Sequence, residues 1–132
     1  MGPIGLCAAR WAQLKGATRV IVIDGVQERL DFAHEKLNVE TINFRTHSNV
    51  SGRIIELVPH GLDVAIDCGA FHEPKTLLHK VQKTLMLETD VPETINEMLV
   101  SVRKVGRCGI TAAYAGYANG VNVGALMEKG IR

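Results

Sequence analysis

The sequence lacks the features of a membrane protein and of a nucleic-acid-binding protein. No apolar run in its 132 residues approaches the ~20 residues of a membrane span. The start of the chain has no basic-then-apolar layout of a signal peptide. The net charge is only +1, which provides no electrostatic attraction to nucleic acid or to an acidic lipid surface. We therefore expect a cytoplasmic globular chain with neither a membrane nor a nucleic acid as partner.

Cysteine is also scarce. Cys7, Cys68 and Cys108 are odd in number, widely spaced and set in apolar segments, so we interpret them as reduced core residues and not as a disulfide framework. Cys68 and His72 have a C-x₃-H spacing, but a zinc site requires three or four converging ligands. We expect no metal site in this chain.

The most informative stretch is the first 24 residues. It opens with Gly2-Pro3-Ile4-Gly5 and ends in the apolar run Val20–Ile23 followed by Asp24. A dinucleotide-binding βαβ unit has a G-x-G-x-x-G turn between a strand and a helix, and an acidic residue about 20 positions later. Gly2 and Gly5 fit the second and third of these glycines, and 24 − 5 = 19 positions separate Gly5 from Asp24. The first glycine and the first strand of the motif would lie upstream.

Each residue in this motif has a physical reason. Glycine at position 2 lets the backbone approach a pyrophosphate, and Gly5 allows close packing of the helix on the sheet. Pro3 suits the first helical position, and the free N–H groups at that helix end attract phosphate. Asp24 would accept hydrogen bonds from the adenosine ribose and repel a 2′-phosphate, which favours NAD over NADP. Arg29 is either a second ribose contact or a solvated helix residue.

The hydrophobic pattern alternates between helical and strand periods along the whole chain. Helices are predicted at Pro3–Lys15, Val26–Leu37, Ser48–Val58, Pro74–Leu85, from about Glu93 to Lys104, and at Gly124–Lys129. Strands are predicted at Thr18–Ile23 (buried on both faces), Val39–Phe44, Leu62–Cys68 and Arg107–Ala113. Such alternation is typical of an α/β fold with a Rossmann-type, doubly wound parallel sheet. Ligands bind beyond the carboxyl ends of such strands, so Asp67, Cys68 and Gly69 are expected to line the cofactor cleft.

The predicted sheet is incomplete. Counted against the six-strand order 3-2-1-4-5-6, the first strand is missing and the sixth would only begin at Ile131-Arg132. Because the first strand is central, its loss leaves unpaired edges whose buried groups cost roughly 1–3 kcal/mol each. We expect the free chain to be unstable and association-prone, or to close the gap by pairing the second strand with the fourth.

With these elements in place, the chain resembles the cofactor domain of zinc-containing medium-chain alcohol dehydrogenases, and within them the glutathione-independent formaldehyde dehydrogenases. The resemblance covers essentially the whole chain. It is carried by Gly2-Pro3-Ile4-Gly5-Leu6, Val20–Asp24 with Glu28-Arg29-Leu30, Glu40-Thr41-Ile42-Asn43-Phe44, the acidic insert Leu87-Glu88-Thr89-Asp90-Val91-Pro92, Val102-Arg103-Lys104 and Met127-Glu128-Lys129-Gly130.

The resemblance implies the NAD-binding part, residues 1–132, of an enzyme that moves hydride between NAD and a small alcohol or aldehyde. In that family the zinc ligands precede the cofactor domain. No residue here inherits a catalytic or metal-binding role, so the isolated chain is expected to be inactive. The intact enzyme is expected to be a homo-oligomer. The segment after the fifth strand borders the nicotinamide in relatives, which implies contacts from Ile110 and Thr111. Here Thr111-Ala112 replaces the usual proline-glycine pair.

Two other interpretations fit the glycine motif. One is a stand-alone nucleotide-binding module without catalysis, which would use the same Gly2, Gly5 and Asp24. The other is a methyltransferase, whose fold also opens with a glycine-rich turn and places an acidic residue after the second strand. The acidic insert before Pro92 and the proline after Gly2 favour the dehydrogenase.

Overall fold

The computed structural model of the chain describes residues 1–69, 92–114, 116 and 118–132. The chain divides into two compact units, which we call unit 1 (Met1–Arg53) and unit 2 (Ile54–Arg132). In the described part of each unit there is one pair of strands, and both pairs are parallel. None of the helices in the described ranges has the length and apolar character needed to cross a bilayer.

Unit 1 has the order helix, strand, helix, strand. Its elements are α1 (Pro3–Leu14), β1 (Ile21–Asp24), α2 (Gln27–Leu37) and β2 (Glu40–Asn43). The ladder runs from Ile21 opposite Glu40 to Asp24 opposite Asn43. The predicted elements are therefore confirmed, with boundaries that shift by at most three residues. Asn38 ends α2 in the left-handed conformation, with φ 52°, which places β2 directly after the helix.

The core of unit 1 is a cluster of five buried apolar side chains. They are Ala9, Val22, Leu30, Ala33 and Val39. Gln13 also ties α1 to the end of α2, because its side-chain amide donates to the Leu37 carbonyl at 2.6 Å. The prediction that Thr18–Ile23 is buried on both faces is wrong, since Val22 alone among the residues of β1 is fully buried. Among the described residues β1 pairs with β2 alone, and the other three residues of the strand are half-buried.

The three cysteines are free thiols, as predicted, but they are not core residues. Cys7 is exposed on α1, while Cys68 and Cys108 are half-buried. The outward face of α1 also carries Trp11, which is 61% exposed. Within α1, the buried residues are Gly5 and Ala9.

Unit 2 contains a second strand pair and the helices around it. Its elements are β3 (Leu62–Asp67), α4 (Glu93–Ser101), β4 (Val102–Ile110) and α5 (Val123–Lys129), while α3 (Val50–Leu57) crosses the division between the units. The predicted helix Pro74–Leu85 and residues 87–91 of the acidic insert lie outside the described residues.

The junction between α4 and β4 differs from the prediction. The helix ends at Ser101 and not at Lys104, and the strand begins at Val102 and not at Arg107. The cause is a contact from a residue distant in sequence. The Lys129 ammonium donates to the carbonyls of Leu99, Val100 and Val102 at 2.9, 2.6 and 2.9 Å. A basic group on the last carbonyls of a helix stabilises its C-terminus.

The start of β4 is irregular. Leu62 lies opposite Val102, yet Val64 lies opposite Arg107, so β4 holds three more residues than β3 over this interval (107 − 102 = 5 against 64 − 62 = 2). Val105 adopts a positive φ of 60° within this bulge. Gly61 approaches it from the turn before β3, with φ +79°.

Arg132 lies beside β4 and makes backbone hydrogen bonds in the pattern of a parallel ladder. Its N–H donates to the Gly106 carbonyl at 3.0 Å, and its carbonyl accepts from the Cys108 N–H at 2.7 Å. This supports the strand predicted to begin at Ile131. The described residues form two separate ladders, β1-β2 and β3-β4. The predicted second and fourth strands correspond to β1 and β3, and the expected pairing of these two strands is not seen among the described residues. The expected instability and association stay a prediction.

Candidate functional site

The N-terminal end of α1 is open. Gly2 precedes the helix with φ −77° and ψ −170°, and Pro3 occupies the first helical position. A Cβ atom built on Gly2 would meet nothing within 4 Å. This backbone conformation is available to any residue, so neither torsion nor packing in the described residues requires glycine there. The first turn carries no acidic side chain, so its N–H groups and positive dipole end remain suited to an anion.

The other motif positions on α1 differ in burial. Gly5 is buried, as close packing of the helix requires. Pro3 and Ile4 are exposed at the surface of the first turn. Both residues therefore lie at the open end of the helix and not in the core.

Asp24 is the last residue of β1, where the motif places its acidic residue. One carboxylate oxygen accepts from the Val26 N–H at 2.9 Å, and the other accepts from the Met1 amine. The guanidinium of Arg29 lies 3.8 Å from the same carboxylate. Both oxygens already accept hydrogen bonds, so a ribose hydroxyl must share or displace one of these donors. Unit 1 therefore places Arg29 beside Asp24.

The surroundings of Asp24 lower its pKa. Burial alone would raise the pKa of this carboxyl, because it penalises the charged form. Hydrogen bonds from the Met1 amine and from the Val26 and Gly25 N–H groups, with the charge of the amine, outweigh burial and hold the pKa below its usual range. The carboxylate is therefore charged at neutral pH, as discrimination against a 2′-phosphate requires.

The lowered pKa of Asp24 predicts a pH dependence of stability. The folded carboxyl binds its proton more weakly than the unfolded one, which titrates near pH ~3.9. Its contribution to the free energy of unfolding is thus complete above that pH and is lost as the pH falls through the folded pKa. Urea denaturation across this range should show a smaller pH dependence in Asp24→Asn than in wild type. Asp31→Asn, an exposed substitution on α2, is the control. An unchanged slope in Asp24→Asn would contradict the prediction.

In unit 2, the carboxyl ends of β3 and β4 come together. Asp67, the last residue of β3, lies opposite Ile110, the last residue of β4. The Asp67 carbonyl accepts from the N–H groups of Thr111 and Ala112 at 2.9 and 3.1 Å and from the Thr111 hydroxyl at 2.9 Å. That hydroxyl also lies 3.4 Å from the Cys68 sulfur. Of the predicted contacts, Cys68, Gly69, Ile110 and Thr111 thus form one rim at the strand ends.

Asp67, which the sequence also places at this strand end, and Tyr114, which no sequence pattern indicated, complete the rim. Asp67 is buried, at 5% exposure, and its carboxylate accepts from the Gly69 N–H at 2.9 Å and from the Tyr114 hydroxyl at 2.8 Å. The bond to Gly69 is the local Asx pattern that an aspartate before a turn often makes. The bond to Tyr114 spans 47 residues, so no local signal could have identified it.

The described residues contain no group of three or more histidine, cysteine, aspartate or glutamate side chains that could hold a metal ion. Of the C-x₃-H pair considered from the sequence, His72 lies outside the described ranges.

Comparison with known proteins gives consistent matches. The family model of zinc-binding dehydrogenases matches residues 3–84. A zinc-type alcohol dehydrogenase-like protein of Schizosaccharomyces pombe is 43% identical over 129 residues, which cover 98% of this chain and 30% of that protein. The glutathione-independent formaldehyde dehydrogenase of Bacillus subtilis is 39% identical over 71 residues, which cover 53% of this chain and 17% of that protein.

A solved structure confirms the fold class. The structure of 2R,3R-butanediol dehydrogenase from Bacillus subtilis superposes with a TM-score of 0.75 at 22% identity and covers 98% of this chain and 31% of that one. This likeness confirms an α/β, Rossmann-type fold. The chain spans about a third of the length of the protein to which it is compared.

Proposed function

Since the chain belongs to the zinc-binding dehydrogenase family, we propose that it is the NAD(H)-binding part of a zinc-dependent alcohol or formaldehyde dehydrogenase. Residues 1–132 then make up one partial nucleotide-binding domain. Family membership favours this function over that of a methyltransferase. The observation that carries the proposal is the combination of an open helix end at Gly2 with a charged Asp24 at the end of β1.

We assign the two halves of the cofactor to different residues. In unit 1, the first turn of α1 from Gly2 to Gly5 binds the pyrophosphate, because its N–H groups are free and Gly2 has no side chain to obstruct it. Asp24, with Arg29 beside it, binds the adenosine ribose. In unit 2, the strand-end residues Cys68, Gly69, Ile110 and Thr111 bind the nicotinamide half.

The chemistry of the bound cofactor would be hydride transfer at the nicotinamide, to or from the carbon of a small alcohol or aldehyde. The contribution of this chain is to bind and orient NAD, and none of its residues is assigned a proton-transfer or metal-binding role. We further propose that the intact enzyme is a cytoplasmic homo-oligomer. Support for the substrate class comes from two relatives, one named a zinc-type alcohol dehydrogenase-like protein and the other a formaldehyde dehydrogenase.

The proposal predicts a preference for NAD over NADP that depends on Asp24. Calorimetric titration of the purified protein should give tighter binding of NAD, because the Asp24 carboxylate repels a 2′-phosphate. We expect Asp24→Ala to lower the ratio of the NADP dissociation constant to the NAD dissociation constant by about tenfold, which corresponds to ~1.4 kcal/mol.

Asp31→Ala is the matched control for this experiment, because it removes an exposed carboxylate from α2 that the proposal does not place at the cofactor. It should leave the ratio unchanged. Equal affinity of the wild-type protein for NAD and NADP would refute the assignment of Asp24. Binding of neither nucleotide would refute the proposed function as a whole.

A further inference from the structure

The buried carboxylate of Asp67 holds two segments at the strand ends of unit 2. It accepts from the Gly69 N–H in the turn after β3 and from the Tyr114 hydroxyl in the segment after β4. The backbone carbonyl of the same residue accepts three further hydrogen bonds from Thr111 and Ala112. One residue thus fixes the course of the chain after both strands.

A contribution to folding stability does not by itself explain this hydrogen-bond network. A buried charge needs hydrogen-bond partners to offset its lost hydration, and a buried polar network is seldom more stable than apolar packing of the same volume. Bonds to a charged carboxylate are, however, short and directional, so they fix positions more closely than apolar contacts do. The geometry therefore favours a role in which position matters.

The location of this network at the strand ends indicates which ligand group it could position. Gly69 and Thr111, which Asp67 holds directly, are at the carboxyl ends of parallel strands, where ligands of open α/β sheets bind. Under the proposed function, this rim binds the nicotinamide half of the cofactor. Asp67 itself is too buried, at 5% exposure, to be a ligand contact.

We propose that Asp67 and Tyr114 are positioning residues for the nicotinamide half of NAD(H), acting through Gly69 and Thr111. The inference rests on the proposed function and adds two residues that the cofactor motif does not contain. Tyr114 fixes the segment that follows β4, and Asp67 links that segment to the turn that follows β3. Loss of either partner loosens the rim without removing a group that touches the cofactor.

Calorimetric titration with NADH and with ADP-ribose, which lacks the nicotinamide, tests this role. Tyr114→Phe keeps the aromatic ring and removes the hydroxyl. It should weaken NADH binding by about tenfold, the effect expected for one hydrogen bond to a charged group, and leave ADP-ribose binding unchanged. Asp67→Asn keeps the shape of the side chain, removes its charge and should cause the same selective loss.

Lys129→Met is the matched structural control. Lys129 makes three long-range hydrogen bonds in the same unit, but they lie at the amino end of β4, away from the rim. This variant should lower the thermal stability and leave the ratio of NADH to ADP-ribose affinity at its wild-type value.

Two results would overturn the inference while leaving the proposed function intact. One is wild-type NADH affinity in both Tyr114→Phe and Asp67→Asn, and the other is an equal loss of NADH and ADP-ribose affinity in both. If wild type binds neither ligand, the proposed function fails and the inference falls with it. The experiment therefore distinguishes the two failures.

Discussion

Gly2→Ala is expected to reduce the affinity for NAD strongly while leaving the fold intact. The new Cβ would meet no protein atom within 4 Å, and alanine readily adopts the φ of −77° observed there. The methyl group would instead occupy the space into which a pyrophosphate must come to reach the N–H groups of α1. An intrusion of this kind costs about 1–3 kcal/mol, or roughly 5- to 150-fold in the dissociation constant.

For Gly2→Ala, calorimetry measures the change in NAD affinity, and thermal unfolding of the same protein measures the change in stability. The unfolding midpoint should stay at the wild-type value or rise slightly, because alanine restricts the unfolded chain. Gly124→Ala is the matched control, since its Cβ would make only an ordinary contact of 3.5 Å with the Asn122 side chain. Unchanged NAD affinity in Gly2→Ala would show that this glycine does not face the pyrophosphate.

Gly61→Ala is expected to destabilise unit 2 by several kcal/mol. Gly61 has φ +79°, and a Cβ there would lie 2.8 Å from the backbone nitrogen of Arg103 and 3.0 Å from its Cα. The left-handed conformation costs about 1–2 kcal/mol for a residue with a side chain, and the overlap with backbone adds about 1–3 kcal/mol. The sum is a large share of the ~5–15 kcal/mol that typically separates folded from unfolded domains.

Gly120→Ala provides the control for the torsional part of this cost. Gly120 has nearly the same φ, +82°, but a Cβ there would meet nothing within 4 Å. Urea denaturation followed by circular dichroism should therefore show a clearly larger loss for Gly61→Ala. Equal losses for the two variants would mean that the close approach of Gly61 to the bulge in β4 does not matter.

Local sequence patterns predicted unit 1 well. Proline at position 3 and the apolar spacing of Leu30 and Ala33 are signals contained within single helices, and both helices of unit 1 form where they indicate. The parallel pairing of β1 with β2 followed from the helix between them, because a strand–helix–strand unit returns the chain in the same direction. The position of Asp24 at the end of β1 followed in turn.

The errors lie where contacts distant in sequence decide the structure. Val102 has helical spacing relative to Met98 and Leu99, so the pattern extends the helix past its true end, which the Lys129 ammonium fixes from across the unit. The hydroxyl of Tyr114 reaches Asp67 over 47 residues, and neither residue carries a local sign of that bond. Periodicity reports which residues share a face of one element, but not which partner that face meets.

The exposed position of Trp11 has a spectroscopic consequence. It is the sole tryptophan of the chain, and it follows Pro3 by eight residues along α1, about 12 Å at 1.5 Å per residue. Both tyrosines, Tyr114 and Tyr117, belong to unit 2. Indole emission therefore comes only from unit 1, and phenol emission only from unit 2. The protein carries a separate intrinsic chromophore in each unit, and the indole labels the helix to which we assign the pyrophosphate.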